Sequence, residues 1–177
     1  LQRIGAAGIE VVVYNFMPVL DWVRTDLSHR LADGTETLVY DPKKFAAFDL
    51  FALRRPGAEA DFTPAQRVAA HDYWSALGDT GRHHFIRQTL DLFPGVRLDL
   101  SLDDFRAMLE RYTQIDATRL QQHLRLFLEA IVPAAEAAGV RLAIHPDDPP
   151  FPVLGLPRIV STEAQLRAIL GLVDSPA

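Results

Sequence analysis

Gly8-Ile9-Glu10-Val11-Val12-Val13-Tyr14-Asn15 is rich in β-branched and aromatic residues and runs almost uniformly apolar from a glycine to an asparagine. That pattern describes a strand buried on both faces, as strands of a parallel sheet are. Just upstream, the Ile4-Gly5 to Gly8 stretch holds glycines of the kind that end helices, so the chain is expected to open inside an αβ step. A second such step follows much later. From Asp116 to Ala138, Leu120, Leu124, Phe127, Leu128, Ile131 and Val132 recur at spacings of three and four, which predicts a helix with one core face. Pro133 should kink that helix, and Gly139 should close it ahead of a short strand, Val140-Arg141-Leu142-Ala143-Ile144. Thr162 and Gln165 form a capping-box pattern before Leu166, Ile169, Leu170 and Val173, predicting a further helix.

Between the two steps, from Phe16 to about Pro94, the pattern is irregular. Asp33-Gly34 and Pro56-Gly57 mark turns, and Thr37 to Tyr40 reads as a short edge strand. Thr63-Pro64 reads as an N-cap with proline at the first helical position, so a helix is predicted from there to about Leu77. Structureless connections beyond about 15 residues are uncommon in compact domains. Residues 16–98 are therefore read as an irregular and helical excursion over one end of a barrel. Alternating strands and helices indicate an α/β fold with parallel strands. A doubly wound sheet should show a glycine-rich phosphate turn after a strand, and none follows Asn15 or His145. A barrel places its chemistry where strands end, and both strands here end in polar residues.

The chain has 177 residues, 49% hydrophobic and 23% charged, as ordinary globular sequences are. A formal net charge of -5 leaves no basic footprint for nucleic acid or an anionic membrane surface, and a small-molecule partner fits better. The absence of cysteine removes disulfides and thiolate ligands, so a metal site here depends on His, Asp and Glu. The longest apolar runs, such as Ile9 to Val13, fall far short of the ~20 residues that cross a bilayer. The chain opens on Leu1 with neither a basic lead into an apolar core nor a cleavage-site pattern, and is read as truncated at both ends.

Two segments carry candidate chemistry. In His145-Pro146-Asp147-Asp148-Pro149-Pro150 an imidazole ends a buried strand, and two carboxylates follow on a backbone stiffened by three prolines. Such stiffness suits a divalent metal site, because less order is lost in holding the ligands. A hydrogen-bonded core histidine beside a turn-capping Asp pair fits the same residues. In the other segment, Tyr14 to Asp26, Asn15, Asp21, Trp22, Arg24 and Asp26 lead from the first strand into the excursion. An arginine near a strand end can fork a carboxylate, and it can equally pair with Asp21 or Asp26 at the surface. His71, His83, His84 and His123 read as surface or satisfied residues, and Asp103-Asp104 as the acidic start of a helix.

The segments Tyr14-Asn-Phe-Met-Pro-Val-Leu-Asp-Trp-Val-Arg-Thr-Asp-Leu27 and Leu142-Ala-Ile-His-Pro-Asp-Asp-Pro-Pro-Phe-Pro-Val-Leu-Gly-Leu-Pro-Arg-Ile-Val-Ser-Thr162 closely resemble the two long signatures of mannonate dehydratases. Their order and separation agree, so the resemblance spans essentially the whole chain. Val23 departs from the pattern, which has Thr there. The resemblance implies a single catalytic domain of the xylose isomerase-like (β/α)8 TIM-barrel type, of which residues 1–177 form a part. It implies Mn2+ or Fe2+ at the C-terminal strand ends, with His145 as a metal ligand. Asn15, Asp21, Trp22, Arg24, Asp147 and Asp148 become candidates for binding the sugar acid. The family's other ligands, a Cys, a second His and an Asp, match no position here, and neither do the His and Tyr given acid–base roles. The activity implied is a cytoplasmic hydro-lyase of hexuronate breakdown acting on D-mannonate, with room for a homo-oligomer and no nucleic-acid or membrane partner. These residues by themselves are expected to be inactive. The competing readings are another divalent-metal sugar isomerase or epimerase on the same barrel, and a non-catalytic truncated chain.

Overall fold

The computed structural model describes residues 1–93 and 100–176; the end of the expected excursion, 94–98, lies outside the described residues. In chain order the elements are α1 (Gln2–Ala6), β1 (Val11–Tyr14), β2 (Asp26–Arg30), β3 (Glu36–Val39), α2 (Pro42–Ala47), a π-helical turn (Phe48–Leu53), a 3₁₀ turn (Ala58–Asp61), α3 (Pro64–Ala76), α4 (Gly78–Asp91), α5 (Leu102–Glu110), α6 (Ala117–Ala137), β4 (Arg141–Ile144) and α7 (Glu163–Leu170). The fold is α/β, with small sheets among helices. The chain divides into two compact units, Leu1–Pro18 with Gln114–Ala177, and Val19–Thr113.

In the first unit β1 and β4 pair in parallel, with Val11 opposite Arg141 and Tyr14 opposite Ile144. Both strands are entered the same way. After α1, Gly8 takes φ 77°, its N–H donates to Gly5 O, and the N–H of Ile9 donates to Ile4 O. After α6, Gly139 takes φ 64°, its N–H donates to Glu136 O, and the N–H of Val140 donates to Ala135 O. Both are Schellman endings, in which a left-handed residue lets the last carbonyls find donors, and only glycine adopts that conformation freely. The sequence thus writes one αβ step twice, and the two steps lie side by side. Gly5 has a further role, since a Cβ there would penetrate the Ala138 carbonyl oxygen where α1 meets the end of α6.

The core of this unit is the expected stripe of α6. Leu120, Leu124, Leu128 and Val132 cluster with Ile159, Val160 and Ile169, and Tyr14, Phe16, Leu142 and Ile144 pack against them. Each fully buried side chain of this size contributes about 1.5–3 kcal/mol. The helix runs through Pro133 to Ala137. Thr162 closes the expected capping box with Gln165 to start α7. The strands differ from expectation: Val11 and Val13 are exposed, while Val12, Tyr14, Leu142, Ala143 and Ile144 are half-buried. Among the described residues of this unit, helices cover the Tyr14 and Ile144 side, and the alternate side chains of β1 face away from them.

In the second unit β3 lies close to the expected edge strand and pairs with β2 in an antiparallel hairpin, bulged between Asp26 and His29. Thr63 caps α3 with the expected proline at its start and a Gln66 capping box. Its core is aromatic: Phe48 stands edge-on to Phe93 at 5.7 Å, and Phe93 stacks on Phe105 at 5.3 Å. Arg106 on α5 donates to the carbonyls of Leu53 (2.8 Å) and Ala52 (2.9 Å), which the end of the π-helical turn would otherwise leave without donors. Asp49 is fully buried and forked by Arg55, whose Nη2 lies 2.7 Å from Asp49 and 2.6 Å from Asp61. Burial raises the Asp49 carboxyl above its ordinary range, and the Arg55 guanidinium pulls against that shift.

Candidate active site

The C-terminal ends of β1 and β4 carry Asn15 and His145, the residues that follow the paired Tyr14 and Ile144. The N–H of His145 donates to Tyr14 O at 2.8 Å, which extends the ladder by one step. Tyr14 and Phe16 both pack at a tilt against Phe127 of α6, with ring centroids 5.5 and 5.6 Å away. Because side chains alternate along a strand, this anchoring turns Asn15 to the other face, where it is exposed. Ile144 is likewise held in the core cluster and His145 is exposed. Burial also raises the Tyr14 hydroxyl above its usual range.

The imidazole of His145 is oriented by its own loop. Nδ1 lies 2.6 Å from the carbonyl oxygen of Pro146. A carbonyl only accepts, so this contact selects the tautomer with the proton on Nδ1, and in neutral imidazole Nε2 is then the nitrogen able to ligate. Nε2 has no partner among the described residues. A backbone carbonyl fixing one ring nitrogen while the other is left to ligate is the usual arrangement around a metal-bound histidine. The residues present therefore fit a divalent metal through one ligand. Among the described residues no group of three or more His, Asp or Glu side chains could hold a metal.

Asp147 is 5% exposed and holds the loop closed. Its N–H donates to Val160 O at 3.0 Å. Its Oδ2 accepts from the N–H of Val160 at 2.5 Å and from the Ser161 hydroxyl at 2.9 Å. Its Oδ1 is buried with no hydrogen-bond partner among the described residues. Asp148 is half-buried and precedes Pro149 through a cis bond. Beyond it, Val153 and Leu156 bridge across a tight turn in which Leu154 and Gly155 take φ 52° and 74°, as two-residue primed turns require. Val153, Leu154, Leu156, Ile159 and Val160 are all buried, so this connection is packed rather than draped. Arg158, to which residue spacing assigns no role, is 4% exposed inside it. Its signal was a lone charge in the apolar run Val153 to Val160.

Asp21, Trp22 and Arg24 lie in the second unit. The Trp22 N–H donates to Asp21 Oδ1 at 2.9 Å. The Arg24 guanidinium lies 5.5 Å from the Trp22 ring centroid, and its Nη1 donates to Val23 O at 2.8 Å. Leu20 and Val23 are fully buried and fix the segment, so the position that departs from the family pattern is apolar core. Val19, a β-branched residue at φ 62°, marks a strained turn just before it. Two of the other histidines keep local partners: His71 meets Phe51 edge-on at 5.9 Å and His83 Nδ1 lies 2.9 Å from Asp79 O. Asp103 and Asp104 open α5 behind a Ser101 cap, as expected.

The family model of D-mannonate dehydratase (UxuA) matches residues 1–177. A mannonate dehydratase of Chromohalobacter salexigens is 50% identical over 177 residues, which are 100% of this chain and 45% of that protein. One from Marinomonas sp. is 45% identical over 176 residues, 99% of this chain and 45% of its own length. The crystal structure of mannonate dehydratase from Streptococcus suis serotype 2 superposes with a TM-score of 0.57 at 33% identity, covering 97% of this chain and 35% of that one. The chain thus spans under half the length of the relatives it matches. With the match running from the first residue to the last, the chain belongs to the D-mannonate dehydratase (UxuA) family.

Proposed function

We propose that these residues form part of a cytoplasmic mannonate dehydratase, a hydro-lyase that removes water from D-mannonate to give 2-keto-3-deoxy-D-gluconate in hexuronate breakdown. The observation that carries the reading is His145, an exposed imidazole at a parallel strand end whose Nδ1 is fixed by Pro146 O, within a chain matched along its full length by the family. In this reading β1 and β4 are neighbouring strands of a (β/α)8 barrel, residues 1–177 are part of one catalytic domain, and 16–98 are an excursion over its end. The exposed Val11 and Val13 side of the sheet then faces the barrel interior.

The reaction takes a proton from C2 beside a carboxylate and expels hydroxide from C3, and both steps are slow unaided. His145 Nε2 would be one of the groups holding Mn2+ or Fe2+, which when bound would supply positive charge to stabilise a developing anion. Arg24 forks the substrate carboxylate, with its planar guanidinium steadied over Trp22. Asn15 and Asp148 orient substrate hydroxyls, and Asp21 fixes the Trp22 backbone. Asp147 holds the loop on which His145 and Asp148 ride, through Val160 and Ser161. No residue of this chain is assigned the acid or the base.

The test is to supply the intact protein with Mn2+ or Fe2+ and offer D-mannonate beside keto- and aldo-sugars. Formation of the 2-keto-3-deoxy acid from mannonate alone is expected. Isomerisation or epimerisation of a neutral sugar with mannonate untouched would overturn the reading.

A further inference from the structure

The second unit contains a concavity of about 440 Å³ lined by Arg54, Arg55 and Arg67, with Phe51, Ala58 and Glu59 among its other walls. The three arginines are not equivalent. Arg55 is spent on the buried Asp49 and on Asp61. Arg54 uses only Nε, 3.3 Å from Phe51 O, and its terminal nitrogens have no partner among the described residues. Arg67, on the first turn of α3, makes no ion pair or side-chain hydrogen bond among the described residues. Glu59 lies on the same wall and pairs with neither of them.

The backbone singles out Arg54. It caps the π-helical turn in the left-handed region, φ 52° and ψ 45°, a conformation that glycine adopts without cost and other residues resist. Short π-helical segments, here running on directly from α2, and strained non-glycine residues both recur at functional sites. Phe51, which stacks on Trp74 at 6.1 Å, adds a rigid aromatic wall.

We propose that this concavity is an oxyanion site: the guanidinium forks of Arg54 and Arg67 hold the phosphate or carboxylate of a small metabolite, and Phe51 and Ala58 receive its carbon skeleton. The site stands independently of the dehydratase reading, since none of its residues serves the strand ends. Charge-assisted, bidentate bonds of this kind give the affinity, and Glu59 on the wall selects against a ligand with a second anionic group close by.

The experiment titrates the intact protein at low ionic strength by calorimetry, with inorganic phosphate in one arm and acetate in the other. Saturable binding of at least one anion in the millimolar range or tighter is expected, and the arm that binds tells phosphate from carboxylate. Arg54→Gly and Arg67→Gln should each weaken binding about tenfold or more. Arg54→Gly should melt no lower than the unaltered protein, because glycine suits the left-handed position; Arg67→Gln, on an exposed helix turn, is the second variant should Arg54→Gly fail to fold. No saturable binding of either anion, or binding that survives both substitutions, would overturn the proposal.

Discussion

Removing the Asp147 carboxylate should both loosen the His145 loop and lower stability. In Asp147→Ala the N–H of Val160 loses its acceptor at 2.5 Å and the Ser161 hydroxyl loses one at 2.9 Å. Hydrogen bonds to a charged group are worth about 1.5–3 kcal/mol each, so the pair amounts to about 3–6 kcal/mol. Relief from burying a carboxylate at 5% exposure, with Oδ1 unpartnered, offsets part of this. The net loss is about 2–4 kcal/mol. It includes a stranded donor, because Val160 is itself buried. Asp147→Asn keeps an acceptor oxygen and should lose about half as much. Urea unfolding of the intact protein measures the difference, and metal analysis of the folded variants reads the loop. Midpoints indistinguishable among the three proteins would refute this account of Asp147.

Arg24→Lys should lower mannonate turnover about tenfold or more with little change in melting, because a point charge cannot fork a carboxylate; equal turnover would return Arg24 to a surface role. Gly5→Ala should destabilise by about 1–3 kcal/mol despite alanine's better helix propensity, since its Cβ meets the Ala138 carbonyl oxygen; thermal melting reads this, and a stabilised variant would show that the close approach relaxes freely. Burial raises the Tyr14, Tyr40 and Tyr73 hydroxyls, with repulsion from Asp49 and Asp41 adding at Tyr40 and from Asp41 at Tyr73. The folded chain therefore keeps these protons where the unfolded chain releases them. Their contribution is complete below about pH 10 and is lost as pH rises above it. Urea midpoints should fall steeply through that range, and Tyr40→Phe should flatten the fall.

What the sequence showed plainly was local and periodic. The α6 stripe, the glycine endings before both parallel strands, and the Thr63 and Thr162 caps each state their geometry within a few residues. β2 was missed because Asp26-Leu27-Ser28-His29-Arg30 lacks β-branched residues and alternation, and its pairing comes from β3 across a turn. α4 was missed because Gly78 and Gly81 and a polar run mask a helix that Phe85 and Leu90 bury. The expectation of two buried faces for β1 was read from its apolar run alone, whereas burial depends on what other chain covers the sheet. The same limit applies at the site. Residue types and the family resemblance marked the loop after His145, but the Asp147 clamp to Val160 and the burial of Arg158 arise from long-range packing. Spacing did not separate a loop clamp from a ligand-binding carboxylate.

The most direct test of the central claim is the metal content of the intact protein carrying His145→Ala, measured beside the unaltered protein after identical dialysis. The account predicts loss of bound Mn2+ or Fe2+ together with loss of mannonate dehydration, with the fold retained because His145 is exposed. Full metal content with normal turnover would contradict it.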